Sequence, residues 1–312
     1  MNYLQTKGGS TSTPSKPKYL KDLNAEQLQT FCTSFDTVFC DCDGVVWYTL
    51  GDFIPGSADA IRQLQLQGKQ LTFVTNNSIC SVERHIQRFA RAQLKIDKQQ
   101  IVHPAQTVCD YLKSQNFEGL IYCLATASFK ELLLSQGFHL VPEQQDGVQI
   151  KNLCDLRSAI QAEHQVKAVI IDVDFNMSLA KIMRAYQYLQ NPQCLFIAGA
   201  ADGVVPFGAG EVIGPGAFID IVALAAGRQP VVLGKPGAGL MPILRERHVG
   251  SPPARVLFIG DSPGSDIVFA RQCGYQTLLV LSGGVCAADV ALDDQSAPDY
   301  VTDCLGDLTN FI

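Results

Sequence analysis

Short runs of β-branched and aromatic residues alternate with longer amphipathic segments along most of this chain. Runs of the first kind favour strands, and strands separated by helix-length segments are typical of βαβ units around a parallel sheet. The pattern therefore predicts an α/β fold. The predicted strands are Thr37–Cys40, Gln70–Val74, Lys167–Val173, Pro230–Leu233, Arg255–Ile259 and Thr277–Leu281. The predicted helices are Ser57–Gln67, Ser81–Ala92, Ser128–Gln136, Ser178–Gln190 and Ala217–Ala226.

The composition argues against several classes of function. A net charge of −6 without any cluster of Lys and Arg disfavours nucleic acid or an anionic membrane as a partner. No uncharged apolar run reaches the roughly 18 to 20 residues that a membrane span needs. The 11 cysteines are odd in number and several lie inside apolar runs, so we expect reduced, buried thiols and a cytoplasmic protein. The histidines are scattered and no Cys-x-x-Cys pair is present, so a zinc site is not expected.

Four polar motifs each follow a predicted strand directly. They are Asp41-Cys42-Asp43-Gly44, Thr75-Asn76-Asn77-Ser78, Gly234-Lys235-Pro236, and Gly260-Asp261 with Asp266 five residues later. In an open parallel sheet the carboxyl ends of the strands share one crevice, so motifs that are distant in sequence meet there. The sequence therefore predicts one site built from all four.

The middle third of the chain contains predicted strands and helices but none of these strand-end motifs. The length of 312 residues favours two domains. We therefore expect a Rossmann-like parallel-sheet core formed by residues 18–114 and 229–312, split by an inserted α/β cap domain at 115–228. Residues 1–17 are polar and rich in Ser, Thr, Lys and Pro, and we expect a disordered tail without a secretory signal.

The predicted site is rich in carboxylates. Two like charges about 4 Å apart repel by roughly 4 kcal/mol at an effective dielectric constant of 20, so a cation is implied. Ligation by oxygen atoms alone favours magnesium, which keeps water ligands and leaves room for a phosphate oxygen. Lys235 adds a fixed positive charge and Thr75 a hydroxyl donor, which together suit a phosphate group.

The order and spacing of these motifs resemble the haloacid dehalogenase superfamily of phosphatases, in particular the branch with phosphoglycolate, pyridoxal phosphate and 4-nitrophenyl phosphatases. The resemblance covers nearly the whole chain from about Lys18 and includes Ile54-Pro55-Gly56 and Ala226-Gly227-Arg228-Gln229-Pro230. It implies a magnesium-dependent phosphatase that hydrolyses small phosphorylated metabolites. It also implies that the cap selects the substrate and contributes to a homodimer contact.

The resemblance implies a role for each motif residue. Asp41 attacks phosphorus and becomes an aspartyl phosphate, and Asp43 protonates the leaving alkoxide and later deprotonates the hydrolytic water. The phosphate-binding residues are Thr75, Asn76, Asn77 and Lys235. The magnesium ligands are Asp41, the main-chain carbonyl of Asp43, and Asp261. Asp266 orients Lys235 or a metal-bound water.

Two features of the backbone refine this expectation. Asp41 and Asp43 would face opposite ways in an extended segment, so a turn must begin at Asp43, and Gly44 permits it. The fourth motif of relatives usually reads Gly-Asp-Arg-Leu-x-Thr-Asp-Ile, whereas here Ser262-Pro263-Gly264-Ser265 separates the two aspartates. These turn-forming residues should keep the loop path. The missing arginine predicts a looser Asp261 and weaker magnesium binding.

The substrate is not fixed by the motifs. The stretch from Ala200 to Phe207 matches the cap loop that selects the leaving group in related enzymes, with Asp202 and Val205 as its candidate contacts. Its apolar character favours a small or partly apolar monoester over a bulky polyanion. Trp47 and Tyr48 are interpreted as packing residues, and His85 and His103 as surface or helix-end residues. Cys42 is interpreted as a small filler, with oxidation sensitivity left open.

Three alternatives remain at this stage. A phosphomutase shares the aspartyl phosphate chemistry, but the long cap resembles the hydrolase branch. A receiver-type signalling domain uses similar residues but is far smaller. The strongest rival is a divergent, catalytically weak relative that acts as a binding or regulatory protein, and turnover of p-nitrophenyl phosphate with and without magnesium distinguishes it.

Overall fold

A seven-stranded parallel sheet is formed by the amino-terminal and carboxyl-terminal parts of the chain, in the order β1-β14-β13-β12-β2-β3-β4. Its strands are β1 (Lys18–Tyr19), β2 (Thr37–Cys40), β3 (Gln70–Val74), β4 (Ile101–Val102), β12 (Val256–Gly260), β13 (Gln276–Val280) and β14 (Tyr300–Thr302). The computed structural model describes residues 17–142, 150–161, 165–207, 210–247, 250–286, 290 and 295–311. The predicted tail at 1–17 lies outside these residues except for Pro17.

The central strands of this first sheet are buried on both faces. Val38 and Cys40 pack into one apolar cluster, while Phe39 between them packs into another on the opposite face. Each full burial of such a side chain contributes roughly 1.5–3 kcal/mol. Burial on both faces explains why these strands read as continuous apolar runs.

A second parallel sheet has five strands in the order β11-β8-β7-β5-β6. Its strands are β5 (Leu120–Leu124), β6 (His139–Leu140), β7 (Val166–Ile171), β8 (Leu195–Ala198) and β11 (Val231–Val232). An antiparallel hairpin consists of β9 (Val204–Phe207) and β10 (Gly210–Ile213). Helices lie on both faces of the second sheet. The α/β class is confirmed.

The predicted elements are all present, with ends within two residues of their predicted positions. The helices are α1 (Ala25–Thr33), α2 (Ser57–Leu66), α3 (Val82–Arg91), α4 (Pro104–Ser114), α5 (Ala127–Ser135), α6 (Leu153–Ile160), α7 (Leu179–Leu189), α8 (Pro215–Ala226), α9 (Leu240–Arg247) and α10 (Val268–Cys273). Within the described ranges, no helix combines the length and the apolar character needed to cross a bilayer.

The extent of the insertion bears on where the site lies. Helix α4 packs on the second sheet through Val108 and Leu112. Strand β11 pairs with β8 of that same sheet. The boundaries at 114/115 and 228/229 stay a prediction, and this packing favours an earlier start and a later end for the inserted unit.

Candidate active site

Acidic side chains from two neighbouring strands meet at the carboxyl edge of the first sheet. Asp41 follows β2 and Asp261 follows β12, and these strands pair in parallel. Asp266 lies in the π-helical turn Pro263–Ile267 that comes next. One carboxylate oxygen of each aspartate lies within 4.8 Å of the others. The structure thus brings together three of the four predicted aspartates.

The ammonium of Lys235 lies between two of these carboxylates. Its Nζ is 2.9 Å from Oδ1 of Asp41 and 2.7 Å from Oδ1 of Asp266, and the side chain is only 1% exposed. Burial lowers the pKa of Lys235, but the adjacent carboxylates of Asp266 and Asp41 more than offset this and raise it. Lys235 therefore carries a fixed positive charge.

Lys235 reaches the site from a different sheet than expected. We predicted that Pro230–Leu233 is a core strand, but the observed strand, β11, lies at the edge of the second sheet. That prediction was wrong because an isolated apolar run does not show which neighbour it pairs with. The ammonium and the nucleophile candidate Asp41 thus come from two different sheets.

The electrostatics of the cluster fit a divalent cation. Burial raises the pKa of Asp41, although the charge of Lys235 acts to lower it. The pKa of Asp261 lies well above its usual value, mainly because of burial and also because of repulsion from Asp266 and Asp41. A single ammonium against three carboxylates leaves a deficit of positive charge. Asp266 already accepts hydrogen bonds from Lys235 and from the main-chain N–H groups of Asp261 and Ser262. Asp41 and Asp261 remain as oxygen ligands of the kind that magnesium prefers.

A tight turn after β2 places the main chain against Asp261. Val46 N donates to Cys42 O at 2.8 Å, and Gly44 N donates to Trp47 O at 2.8 Å. Gly44 has a φ of +81°, and a Cβ atom there would lie 2.2 Å from Oδ2 of Asp261. The structure therefore shows the predicted turn, and only glycine fits both its backbone angle and the close approach.

The carboxylate of Asp43 lies in a different environment from that of Asp41. It accepts a hydrogen bond from Trp47 Nε1 at 3.1 Å and another from Asn77 Nδ2 at 2.9 Å. Trp47 is fully buried, with its ring 4.8 Å from that of Phe89 and nearly parallel to that of His85. Two neutral donors therefore hold Asp43, whereas an ammonium holds Asp41.

The segment after β3 connects the parts of the site. Thr75 is buried, and its hydroxyl accepts a hydrogen bond from Asn77 N at 3.1 Å. The side chain of Asn76 accepts from Lys235 N and donates to Lys235 O and to Oδ2 of Asp202. The amide of Asn77 holds Asp43. The Asn76 and Asn77 side chains therefore bind other protein groups, and phosphate binding by these two residues stays a prediction.

The carboxyl edge of the second sheet faces this segment. Asp172 follows β7 directly, is fully buried, and accepts a hydrogen bond from the Ser78 hydroxyl. Ser128, beyond the end of β5, donates to Ile79 O at 2.8 Å. The middle third was predicted to lack the four strand-end motifs, and Asp172 is a polar strand-end residue outside those motifs that sequence reasoning missed. The predicted strand, Lys167–Val173, had hidden this aspartate inside an apolar run.

The two residues predicted in the cap loop have different positions. Asp202 reaches Asn76 with an Nδ2–Oδ2 distance of 2.8 Å. Val205 lies in β9 opposite Val212 of β10. Of these two residues, Asp202 is therefore the one that hydrogen-bonds to the segment carrying Thr75.

Several packing interpretations change in the structure. His85 is buried inside α3 and is not on the surface, and burial lowers its pKa. His103 is also buried, but it caps the start of α4, which agrees with the interpretation as a helix-end residue. Tyr48 is 50% exposed and is not a core residue. Trp47 is buried as expected, but its indole N–H also holds Asp43, a role that sequence reasoning missed. A buried indole N–H needs a hydrogen-bond acceptor, and that requirement is the signal from which this role could have been found.

Two further predictions concern local chemistry. Cys42 is fully buried, and burial raises the pKa of its thiol well above its usual value, which disfavours the reactive thiolate. The altered fourth motif closes on itself, since Ser262 Oγ accepts from Ser265 N at 3.2 Å. Asp266 Oδ2 also accepts from Ser262 N at 3.0 Å. The loop is therefore held by its own turn and by Asp266.

Comparisons with known proteins agree with this geometry. The family described as haloacid dehalogenase-like hydrolase matches residues 38–139, and a second, related hydrolase family matches residues 232–308. Phosphoglycolate phosphatase 2 of Arabidopsis thaliana is 30% identical over 295 residues, covering 92% of this chain and 96% of that protein. Human glycerol-3-phosphate phosphatase is 29% identical over 310 residues, covering 92% and 94%.

A solved structure supports the fold. The p-nitrophenyl phosphatase from Archaeoglobus fulgidus superposes with a TM-score of 0.75 at 20% identity, covering 89% of this chain and all of that one. At this identity the likeness concerns the fold alone. The full-length relatives and the carboxylate–lysine site together show that this chain belongs to the haloacid dehalogenase-like hydrolases and is a phosphatase of that family.

Proposed function

We propose that this protein hydrolyses small phosphate monoesters with magnesium, through an aspartyl phosphate formed on Asp41. The observation that carries the proposal is the contact between Asp41 and Lys235 at the meeting point of two sheet edges. Asp266 fixes the ammonium from its other side. A carboxylate beside a fixed cation, in a cluster that requires a further cation, suits attack on a phosphate dianion.

The contacts of Asp41 select the oxygen that reacts. Lys235 Nζ and the main-chain N–H of Cys42 both donate to Oδ1, at 2.9 and 2.7 Å. Oδ2 is therefore the oxygen that meets phosphorus. When bound by Asp41, Asp261 and the Asp43 carbonyl, magnesium supplies charge neutralisation for the incoming phosphate. Lys235 and the Thr75 hydroxyl stabilise the phosphoryl oxygens during in-line transfer.

Asp43 performs the proton transfers. In the first step its carboxyl group gives a proton to the departing alkoxide while the Asp41–phosphorus bond forms and the ester bond breaks. In the second step its carboxylate takes a proton from water, whose oxygen attacks phosphorus and releases Asp41 with inorganic phosphate. Trp47 and Asn77 hold Asp43 in place for both steps.

The surroundings of the site favour a small leaving group. Residues from both sheets meet across it, and the loop with Asp202 is bonded to Asn76. The relatives bear the names phosphoglycolate phosphatase, glycerol-3-phosphate phosphatase, 4-nitrophenylphosphatase and chronophin. We propose a substrate from that size class, and a panel of phosphoglycolate, glycerol 3-phosphate and pyridoxal phosphate identifies it.

The assembly and location are also proposals. The β9–β10 hairpin exposes Val204, Phe207, Val212 and Ile213. An exposed apolar ribbon of this kind is stabilised by pairing with another surface, so we propose that it contributes to a homodimer contact. The cysteines are free, and many are buried, which supports a reducing compartment such as the cytoplasm.

The test uses p-nitrophenyl phosphate with and without magnesium. We expect turnover that EDTA abolishes and magnesium restores, and Asp41→Asn should lack it while remaining folded. Asp36→Asn is the matched control, because Asp36 lies at the opposite end of β2 and pairs with Arg255. In acid-quenched samples, mass spectrometry should detect a phosphoryl adduct that increases in Asp43→Asn. Activity in purified Asp41→Asn, or magnesium-independent turnover, would refute the proposal.

A further inference from the structure

A buried carboxylate outside the reacting cluster joins the two sheets. Asp172 is fully buried at the end of β7. Its Oδ1 accepts hydrogen bonds from the Ser78 hydroxyl and from Val173 N, and its Oδ2 accepts from Ala200 N at 2.8 Å. A Cβ atom at Gly199 would lie 1.9 Å from Oδ2, so the adjacent strand end is shaped around this carboxylate.

The bonds of Asp172 close a ring through the active site. From Ala200 the chain runs two residues to Asp202, which accepts a hydrogen bond from Asn76. From Asn76 the chain runs two residues to Ser78, which returns to Asp172. Within this ring, the side chain of Asn76 also donates a hydrogen bond to Lys235 O and accepts one from Lys235 N. The ring therefore links the segment with Thr75 to the segment with Lys235.

The position of Ser78 gives the ring its catalytic relevance. Ser78 ends the segment in which Asn76 bonds to Lys235 and Asn77 bonds to Asp43. The same segment carries Thr75, which the proposed function assigns to a phosphoryl oxygen. This segment comes from the first sheet, whereas Asp172 and Lys235 come from the second. A bond at Ser78 thus fixes how the two halves of the site are placed relative to one another.

We propose that Asp172 is a positioning residue for the phosphatase reaction, which clamps the Thr75–Ser78 segment to the second sheet and so aligns Thr75, Asp43 and Lys235 around one phosphoryl group. The inference rests on the proposed function of the site. The carboxylate does not touch the substrate. Its burial raises its pKa, and the three donors lower it in part by stabilising the charged form.

The experiment compares Asp172→Asn with Asp174→Asn in the full-length protein. Asp174 lies two residues further along and is nearly as buried, but its bonds go to Lys181 and Asn176 of the same unit. An asparagine at 172 keeps the shape, but its NH2 group faces a donor at Ser78, Val173 or Ala200, so at least one bond is lost. We expect kcat for p-nitrophenyl phosphate to fall about tenfold or more, the rate equivalent of one lost charge-assisted bond. Asp174→Asn should keep kcat within about twofold of the wild type, because the bonds of Asp174 stay within its own unit and reach neither Ser78 nor Ala200.

A second readout separates positioning from folding. Inorganic phosphate, used as a competitive inhibitor, should bind Asp172→Asn more weakly, since Thr75 and Lys235 no longer converge. Ser78→Ala should show the same defect, and the double variant should be no worse than the more impaired single variant. If Asp172→Asn and Asp174→Asn have equal kcat and equal phosphate inhibition, or if kcat falls only with the folded fraction seen by circular dichroism, the inference is wrong. A wild-type protein without phosphatase activity would instead refute the proposed function.

Discussion

The hydrogen bond from Trp47 to Asp43 offers a sharp test of the proposed mechanism. Trp47→Phe removes the indole N–H, which lies 3.1 Å from Oδ1 of Asp43, and keeps an aromatic ring between Phe53 and Phe89. A hydrogen bond to a charged group contributes about 1.5–3 kcal/mol. Asp43 is only partly buried and keeps its bond from Asn77, so we take the lower end, about 1.5 kcal/mol, which corresponds to roughly tenfold in kcat.

The choice of substrate makes this loss diagnostic. Nitrophenolate is a stable leaving group and needs little help from a general acid, whereas an alkoxide needs the proton from Asp43. Trp47→Phe should therefore slow hydrolysis of glycerol 3-phosphate by about tenfold and slow that of p-nitrophenyl phosphate much less. The measurement is the steady-state kcat for both esters on the same preparation, and the ratio of kcat for glycerol 3-phosphate to kcat for p-nitrophenyl phosphate should fall in Trp47→Phe.

The control must reproduce the loss of packing alone. Phe89→Leu removes a buried ring from the same cluster without touching Asp43. It should lower thermal stability about as much as Trp47→Phe and leave the ratio between the two esters unchanged. An unchanged ratio in Trp47→Phe, or an equal change in Phe89→Leu, would refute the reasoning.

Other predictions concern the metal position and the assembly. Gly44→Ala places a methyl carbon 2.2 Å from Oδ2 of Asp261, so that this carboxylate must move, and we expect about a hundredfold loss of kcat and a higher magnesium requirement in a metal titration; wild-type behaviour would contradict it. The double variant Ser262→Arg, Pro263→Leu restores the residues usual in relatives and should lower the magnesium requirement and raise turnover; if neither changes, the altered motif is neutral. Ile213→Ser on the exposed hairpin should shift the protein toward a monomer in light scattering, and an unchanged mass would exclude the hairpin from the contact.

Much of the site followed from the strand-end rule alone. Asp41 and Asp261 were predicted to meet because the carboxyl ends of parallel strands share one edge, and β2 and β12 are indeed neighbours. The turn at Gly44 was also predicted, because two carboxylates two residues apart cannot otherwise face one substrate. These features depend on local residue types and on the geometry common to all parallel sheets.

The long-range contacts were decided only by the tertiary structure. The sequence by itself determined the elements and the strand ends that carry Asp41 and Asp261, since periodicity and residue type are properties of short segments. It did not determine that Lys235 comes from the second sheet, or that Asn76 binds Lys235 and Asp202. The pairing partner of β11 depends on residues far away in the chain. The same holds for the hydrogen-bond partners of Asn76 and Asp172, because a buried polar group bonds to the groups that the fold places beside it.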